Sequence, residues 1–122
     1  MTPRPLKTLL ALAAAMLLPA CGGGDDVACT LEVRASVVLH VTDTSGQPLD
    51  AVQVDYRVDD GTPQRVVCSA DRTCELGQEL SGRFSITASK AGYRAQSAVV
   101  VVSADVCHVR TERLTLVLPA QR

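Results

Sequence analysis

A strict alternation of apolar and polar residues constrains the fold of this chain most strongly. In the first such segment the odd-numbered residues are apolar: Leu31, Val33, Ala35, Val37, Leu39 and Val41. The residues between them are polar except Val38: Glu32, Arg34, Ser36 and His40, with Thr42 following. A period of two is typical of a strand with one buried face, because successive side chains point to opposite sides. We predict a first strand over residues 31–41.

Further segments of this kind follow, separated by turn residues. Strands are predicted at residues 52–58 and 65–68, joined by a hairpin turn at Asp59-Asp60-Gly61, since Asp and Gly tolerate positive φ. The next predictions are a loop with a short strand at 74–80, then strands at 83–89, 93–103 and 107–118. About seven strands without a convincing helix predict an all-β fold, an antiparallel Ig-like β-sandwich.

The first 21 residues have the three-part composition of an export signal. Arg4 and Lys7 give a positive start, residues 9–18 are an unbroken apolar run, and Ala20 is the small residue before Cys21. The alternative, a transmembrane helix, is disfavoured because a span needs about 20 apolar residues. We predict that residues 1–20 are a signal peptide that is removed.

The tetrapeptide Leu18-Pro19-Ala20-Cys21 resembles the lipobox of bacterial lipoproteins. The resemblance implies cleavage before Cys21, a diacylglyceryl group on its thiol, and membrane attachment through fatty acids such as palmitate. The alternative is an ordinary signal peptide followed by a structural cysteine. Gly22, where Asp would favour retention in the inner membrane, favours the periplasmic face of the outer membrane. The expected location is therefore the cell envelope, with the membrane bound through the lipid.

Removal of the signal peptide leaves 102 residues, the length of one small domain. Residues 21–28 are predicted as the lipidated N-terminus and a flexible Gly- and Asp-rich tether, and residues 29–122 as the β-sandwich domain. Without Arg4 and Lys7 the chain keeps 10 basic and 13 acidic side chains, a formal charge of −3. That balance gives no basic surface for nucleic acid.

Four cysteines remain once Cys21 is acylated: Cys29, Cys68, Cys74 and Cys107. An even number in a small exported domain predicts two disulfides, with three possible pairings. We favour Cys68–Cys74, because the five residues between them can form a hairpin loop. This choice leaves Cys29–Cys107, which would close almost the whole domain.

Residues 41–54 resemble the opening of a carboxypeptidase regulatory-like domain. The matching positions are Asp43, Gly46, Pro48, Leu49, Ala51 and Val54. Residues 82–93 resemble a second element of that family, and the likeness covers roughly residues 36–118. It implies a transthyretin-like (prealbumin-like) sandwich whose first and last strands lie side by side and parallel. Cys29 would then precede the first strand and Cys107 would begin the last, which suits their pairing.

No catalytic motif or cofactor site is apparent. There is no Gly-x-Ser-x-Gly, no His-Glu-x-x-His and no phosphate loop. His40 is predicted to be solvated and His108 structural. The two histidines would approach each other if the outer strands pair, but two ligands make a weak metal site. Asp55, Asp59 and Asp60 fit a solvated hairpin better than a calcium loop.

Two classes of function remain, and neither is an enzyme. The first is a non-enzymatic protein-interaction or structural accessory module with an envelope protein as partner. The alternative is a lipoprotein that binds a glycan or small molecule with loops at one end of the sandwich. The scarcity of aromatic residues disfavours it, whereas an exposed cluster of Tyr56 and Tyr93 would favour it. A hydrolase is the remotest reading, because no nucleophile and base are recognisable.

Overall fold

The computed structural model describes residues 28–122, and it confirms an all-β sandwich. The predicted signal peptide, the predicted lipidation site Cys21 and most of the predicted tether lie outside the described residues. No helix in the described part could cross a membrane. The seven strands of residues 28–122 are β1 Ala35–Thr42, β2 Val52–Val58, β3 Gln64–Cys68, β4 Cys74–Gln78, β5 Gly82–Ser89, β6 Gln96–Val102 and β7 Glu112–Val117.

The strands form two sheets, ordered β4-β1-β7 and β3-β2-β5-β6. β1 and β7 are parallel, with Val37 opposite Glu112. The other four strand pairs are antiparallel. The predicted antiparallel architecture therefore holds for every pair except the first and last strands, which pair in parallel as the resemblance implied.

The predicted first strand was four residues too long at its start. β1 begins at Ala35, opposite Gln78 at the end of β4, and its parallel partner β7 begins only at Glu112, opposite Val37. Leu31 and Val33 are consequently exposed and not part of the core. Alternation in a sequence shows which residues share a face, but it does not show where the neighbouring strands stop.

The polar face of β1 also differs from the prediction. Ser36 and Val38 are buried there. The Ser36 hydroxyl accepts a hydrogen bond from the Leu80 N–H at 2.9 Å. Val38 lies between Glu75 and Arg113 of the flanking strands. A central strand is covered by side chains from both neighbours, so both of its faces contain buried residues.

The later predicted boundaries were also too wide. β6 begins at Gln96 instead of residue 93, and β7 begins at Glu112 instead of residue 107. The chain between them is a loop containing an isolated bridge from Ala104 to Val109. The uncertain segment 74–80 contains a full strand, β4, and the hairpin turn after β2 is confirmed, with Asp59 at a φ of +51°.

The core lies between the sheets and centres on Phe84 of β5. Its side chain is fully buried, and the ring of Tyr56 stacks on it with centroids 5.9 Å apart. Apolar residues of both sheets surround it: Val37, Leu39, Val52, Val54, Leu76, Ile86, Val102 and Leu118. Leu49, which follows the turn after β1, also belongs to this core.

Gly77 of β4 allows the backbone to pass close to Phe84. Its φ is +71°, and a Cβ atom there would lie 3.2 Å from two Phe84 ring carbons and from the Ser36 hydroxyl. A side chain at positive φ costs about 1–2 kcal/mol. We expect Gly77→Ala to lower the free energy of unfolding by this backbone cost and by about 1–2 kcal/mol in addition, because Phe84 and Ser36 must move to make room for the new Cβ atom.

The matched control for this prediction is Gly46→Ala. Gly46 also has positive φ, +82°, but nothing lies within 4 Å of its Cβ position. Urea titrations of both variants measure the difference. Equal losses in Gly77→Ala and Gly46→Ala would show that backbone conformation alone requires glycine in β4.

Candidate functional site

The N-terminal segment joins the sandwich at one end, which we call the tether end. It contains the starts of β1, β5 and β7 and the ends of β2, β4 and β6, as the strand registers show. The opposite end, which contains Cys68 and Cys74, is called the far end. The N-terminal segment, several loops and a groove all lie at the tether end. That end is therefore the candidate functional site.

Both predicted disulfides are confirmed. Cys29 and Cys107 have Cα atoms 5.2 Å apart and join residues separated by 78 positions. Cys68 and Cys74 have Cα atoms 5.3 Å apart and close the short loop between β3 and β4. Both distances lie within the usual range for a bridge. The long-range bridge fixes the N-terminal segment to the loop between β6 and β7.

Beside this bridge, three side chains form a hydrogen-bonded group that we call the tether clamp: Thr30, Glu79 and His108. Nδ1 of His108 lies 2.7 Å from Oε1 of Glu79, and Nε2 lies 2.9 Å from Oγ1 of Thr30. In the neutral imidazole, Nδ1–H donates a hydrogen bond to the carboxylate, and Nε2 accepts a hydrogen bond from the Thr30 hydroxyl. The clamp therefore connects the N-terminal segment, the β4–β5 turn and the β6–β7 loop.

The Glu79 carboxylate also accepts two backbone N–H groups. Arg34 N–H donates to Oε1 at 2.9 Å, and Val109 N–H donates to Oε2 at 3.0 Å. The Glu79 N–H in turn donates to the Arg34 carbonyl at 2.9 Å. These bonds hold Glu79 in the turn after β4, at a φ of +51°.

Asp105 shapes the β6–β7 loop on the other side of the clamp. Its Oδ1 accepts the N–H groups of His108 at 2.9 Å and of Cys107 at 2.8 Å. These two hydrogen bonds, from His108 and then Cys107, hold the pKa of Asp105 below its usual value. The loop thus presents Cys107 to Cys29 and His108 to Glu79.

The clamp has the chemical order of a hydrolytic triad, hydroxyl, imidazole and carboxylate. Such a triad also needs N–H donors directed at the substrate oxyanion. The N–H groups of Arg34, Cys107, His108 and Val109 are already occupied by the Glu79 and Asp105 carboxylates. These four backbone donors are therefore committed to holding the loops.

Sequence reasoning assigned His108 a structural role but missed Thr30 and Glu79, its two partners. Thr30 lies 78 positions from His108 and Glu79 lies 29 positions from it, so no local spacing connects them. The one signal that pointed to Thr30 was the expected Cys29–Cys107 bridge, because Thr30 follows Cys29 and His108 follows Cys107. That pairing brings the chain segments of Thr30 and His108 close together.

The other predicted site residues are not brought together. His40 is exposed on β1 opposite Thr115, and it does not join His108. Asp55 pairs with Arg65 at 2.7 Å, whereas the Asp59 side chain accepts the Arg83 N–H at 2.9 Å. Residues 28–122 contain no group of three or more His, Cys, Asp or Glu suited to holding a metal ion.

A groove opens at the tether end between the β2–β3 hairpin and β4. Its volume is about 540 Å³, and its lining includes Tyr56, Val58, Gln64, Glu75, Gln78 and Leu80. Tyr56 supplies its aromatic surface. Tyr93 does not contribute, because it follows β5 at the far end and bridges to Ala120. The cluster of Tyr56 and Tyr93 that would have favoured ligand binding is not formed.

Acidification should weaken the clamp through Glu79. Burial of the carboxylate opposes ionisation, but the hydrogen bonds from Val109, Arg34 and His108 outweigh that effect and lower the pKa of Glu79. A pKa that is lower in the folded state than in the unfolded state stabilises the fold at pH values above the unfolded-state pKa, which is about 4.3 for Glu. This stabilisation is lost as the pH falls through the folded-state pKa. We expect Glu79→Gln to reduce the loss of stability measured by urea unfolding between neutral pH and about pH 3.

Asp55→Asn is the control for this pH dependence. Asp55 also has a lowered pKa, because of its hydrogen bond from Arg65, but it lies outside the clamp. Glu79→Gln should expose Cys29–Cys107 to reductant faster at neutral pH, and Asp55→Asn should not. An unchanged pH profile and unchanged reduction rate in Glu79→Gln would mean that the carboxylate does not hold the tether end together.

The chain matches no protein-family model, and no curated protein matches it. Any functional proposal therefore rests on its own residues and geometry. In residues 28–122, the hydrogen bonds of the clamp lie where the N-terminal segment meets the sandwich. The arrangement is suited to mechanical attachment of the N-terminal segment.

Proposed function

We propose that this chain is a lipid-anchored envelope protein whose sandwich acts as a non-enzymatic interaction or structural accessory module. Its lipid is carried by Cys21, at the periplasmic face of the outer membrane. The observation that supports this proposal best is the double attachment of the segment just after Cys21, through the Cys29–Cys107 bridge and the Thr30–His108 contact. Such an attachment fixes the point at which the anchored segment leaves the sandwich.

The distance between anchor and domain is short. Eight residue steps separate Cys21 from Cys29, so even a fully extended chain spans at most about 28 Å. Two acyl chains are enough for stable membrane attachment, whereas one chain is marginal. The domain would therefore remain close to the membrane surface and act there on other envelope components.

The proposal that the protein is not an enzyme is supported by the hydrogen bonds that the polar groups of the clamp already make. The Glu79 carboxylate and both nitrogens of His108 are engaged in holding loops. We expect no hydrolysis of ester, peptide or glycoside substrates by the purified protein. Turnover that disappears in His108→Ala and in Thr30→Val, with both variants still folded, would overturn this assignment.

Crosslinking in native membranes tests the interaction role. The lipidated protein is crosslinked and the co-purifying proteins are identified, beside a control chain that keeps residues 1–28 but carries an unrelated domain. We expect one reproducible envelope partner that the control loses. Recovery of the same proteins with both chains would assign the contacts to the anchor and contradict an interaction role for the sandwich.

A second candidate function is ligand binding in the groove beside Tyr56. Its volume of about 540 Å³ falls in the range of roughly 300–1,000 Å³ typical of small-molecule sites. Glycan or small-molecule binding that is lost in Tyr56→Ala but kept in Tyr93→Ala would favour this function. Equal binding by both variants would exclude the groove.

A further inference from the structure

Half of the exposed large apolar side chains in residues 28–122 lie outside the strands, in the segments that meet at the tether end. They are Leu31, Val33, Leu80 and Val106, with exposed fractions of 102%, 62%, 47% and 80%. We call these four side chains the apolar tip. Water-exposed apolar residues scattered singly need no explanation, whereas a group of them at one place indicates a contact surface.

Three residues of the apolar tip directly adjoin a residue of the clamp or of the long-range disulfide, and Val33 adjoins Arg34, which is hydrogen-bonded to the clamp. Leu31 follows Thr30, which contacts His108, and Val106 precedes the half-cystine Cys107. Val33 precedes Arg34, whose N–H donates to Glu79, and Leu80 follows Glu79. The clamp therefore fixes the backbone beneath the apolar tip. The side chains of the apolar tip therefore stay exposed to solvent and do not pack into the core.

We propose that the apolar tip contacts the phospholipid surface of the membrane and orients the sandwich with its tether end toward that surface. This inference rests on the proposed lipid anchor at Cys21. The occupant is indicated by where the described chain begins, at residue 28, seven positions after Cys21 and three before Leu31. A span of at most about 28 Å keeps the tip at a high effective concentration near the lipid.

The charges around the apolar tip specify the kind of membrane surface. Glu32 and Arg34 form an exposed ion pair at 2.9 Å beside the tip. Asp59 and Asp60 lie in the β2–β3 turn at the same end, and Asp105 lies in the β6–β7 loop. Acidic groups are repelled by anionic headgroups. Arg57, Arg83 and Arg110 at the same end offset these acids, so the contact is apolar insertion into a weakly charged surface and needs no anionic lipid.

The other four exposed apolar residues provide a comparison. Val67, Val99, Val101 and Val117 lie within strands, and among them Val101 is near the end of β6 at the tether end. Val67 is 67% exposed and therefore matches Val33 at 62%. It lies on β3 next to Cys68 at the far end, about one strand length from the apolar tip, or roughly 25 Å.

Single tryptophan reporters test the proposal, because the natural chain has no tryptophan. Full-length lipidated protein carrying Val33→Trp or Val67→Trp is reconstituted into phosphatidylcholine–phosphatidylethanolamine vesicles, with and without brominated acyl chains. We expect bromine quenching and a blue-shifted emission for Val33→Trp, and neither effect for Val67→Trp. Adding Leu31→Asp and Val106→Asp to the Val33→Trp protein should remove the quenching, because the new charges oppose entry into the lipid.

Vesicle flotation and intact mass of the same samples separate the two proposals. Protein that carries the lipid and floats, but shows no quenching of Val33→Trp, contradicts the orientation and leaves the anchor standing. Equal quenching at positions 33 and 67 also overturns the orientation. Protein that neither carries lipid nor floats contradicts the anchor itself.

Discussion

Replacement of Cys29 and Cys107 by alanine is expected to lower the free energy of unfolding by about 4.5 kcal/mol in the chain-entropy model. The bridge closes a loop between residues 78 positions apart, nearly the whole described domain. Its removal lets the unfolded chain explore many more conformations. The loss should be visible in urea titrations of the oxidised proteins as a large decrease in the unfolding midpoint.

The Cys68→Ala/Cys74→Ala protein is the matched control. That bridge closes a loop of residues only six positions apart, so the same model gives about 2.4 kcal/mol. Cys68 and Cys74 belong to the core cluster, so some loss of packing adds to this value. A loss from the long-range pair no greater than that from the short-range pair would contradict its role as the main covalent brace of the sandwich.

Phe84→Ala is expected to lower the free energy of unfolding by about 4 kcal/mol. Phe84 is the largest fully buried side chain of the described residues, and it supports both the ring of Tyr56 and the close approach of Gly77. Truncation removes apolar contacts and leaves a cavity between the sheets. Urea unfolding at neutral pH measures the loss, and near-ultraviolet circular dichroism of Tyr56 reports any local repacking.

Two controls separate cavity formation from a general effect of substitution. Phe84→Leu keeps most of the apolar volume and should cost about 1.5 kcal/mol or less. Val67→Ala removes an exposed side chain and should change stability by about 0.5 kcal/mol or less. A loss in Phe84→Ala as small as that in Val67→Ala would mean that the core does not depend on this ring.

The alternation of apolar and polar residues was sufficient to predict which side chains of β1 enter the core. It was not sufficient to predict where the strand begins. Val37 and Leu39 are buried as expected, since period two reports the two faces of a strand directly. Leu31 and Val33 continue the same pattern and are exposed, because β4 and β7 do not extend beside them. Strand length depends on the partners, which a local pattern does not contain.

The site was predictable only where covalent chemistry limited the choices. Four cysteines allow three pairings, and the short loop between Cys68 and Cys74 selected the correct one. The clamp had no such restriction. Thr30 and Glu79 are common polar residue types, and their contacts with His108 depend on the mutual positions of three loops. Those positions are set by the packing of both sheets.

The intact mass of the protein extracted from native membranes tests the lipid anchor most directly. A lipidated chain should have the mass of residues 21–122 with two disulfides plus a diacylglyceryl group, and Cys21→Ser should leave the protein unlipidated. A membrane-extracted protein with the mass of the bare 21–122 polypeptide would contradict the anchor and, with it, the proposed contact of the apolar tip with the membrane.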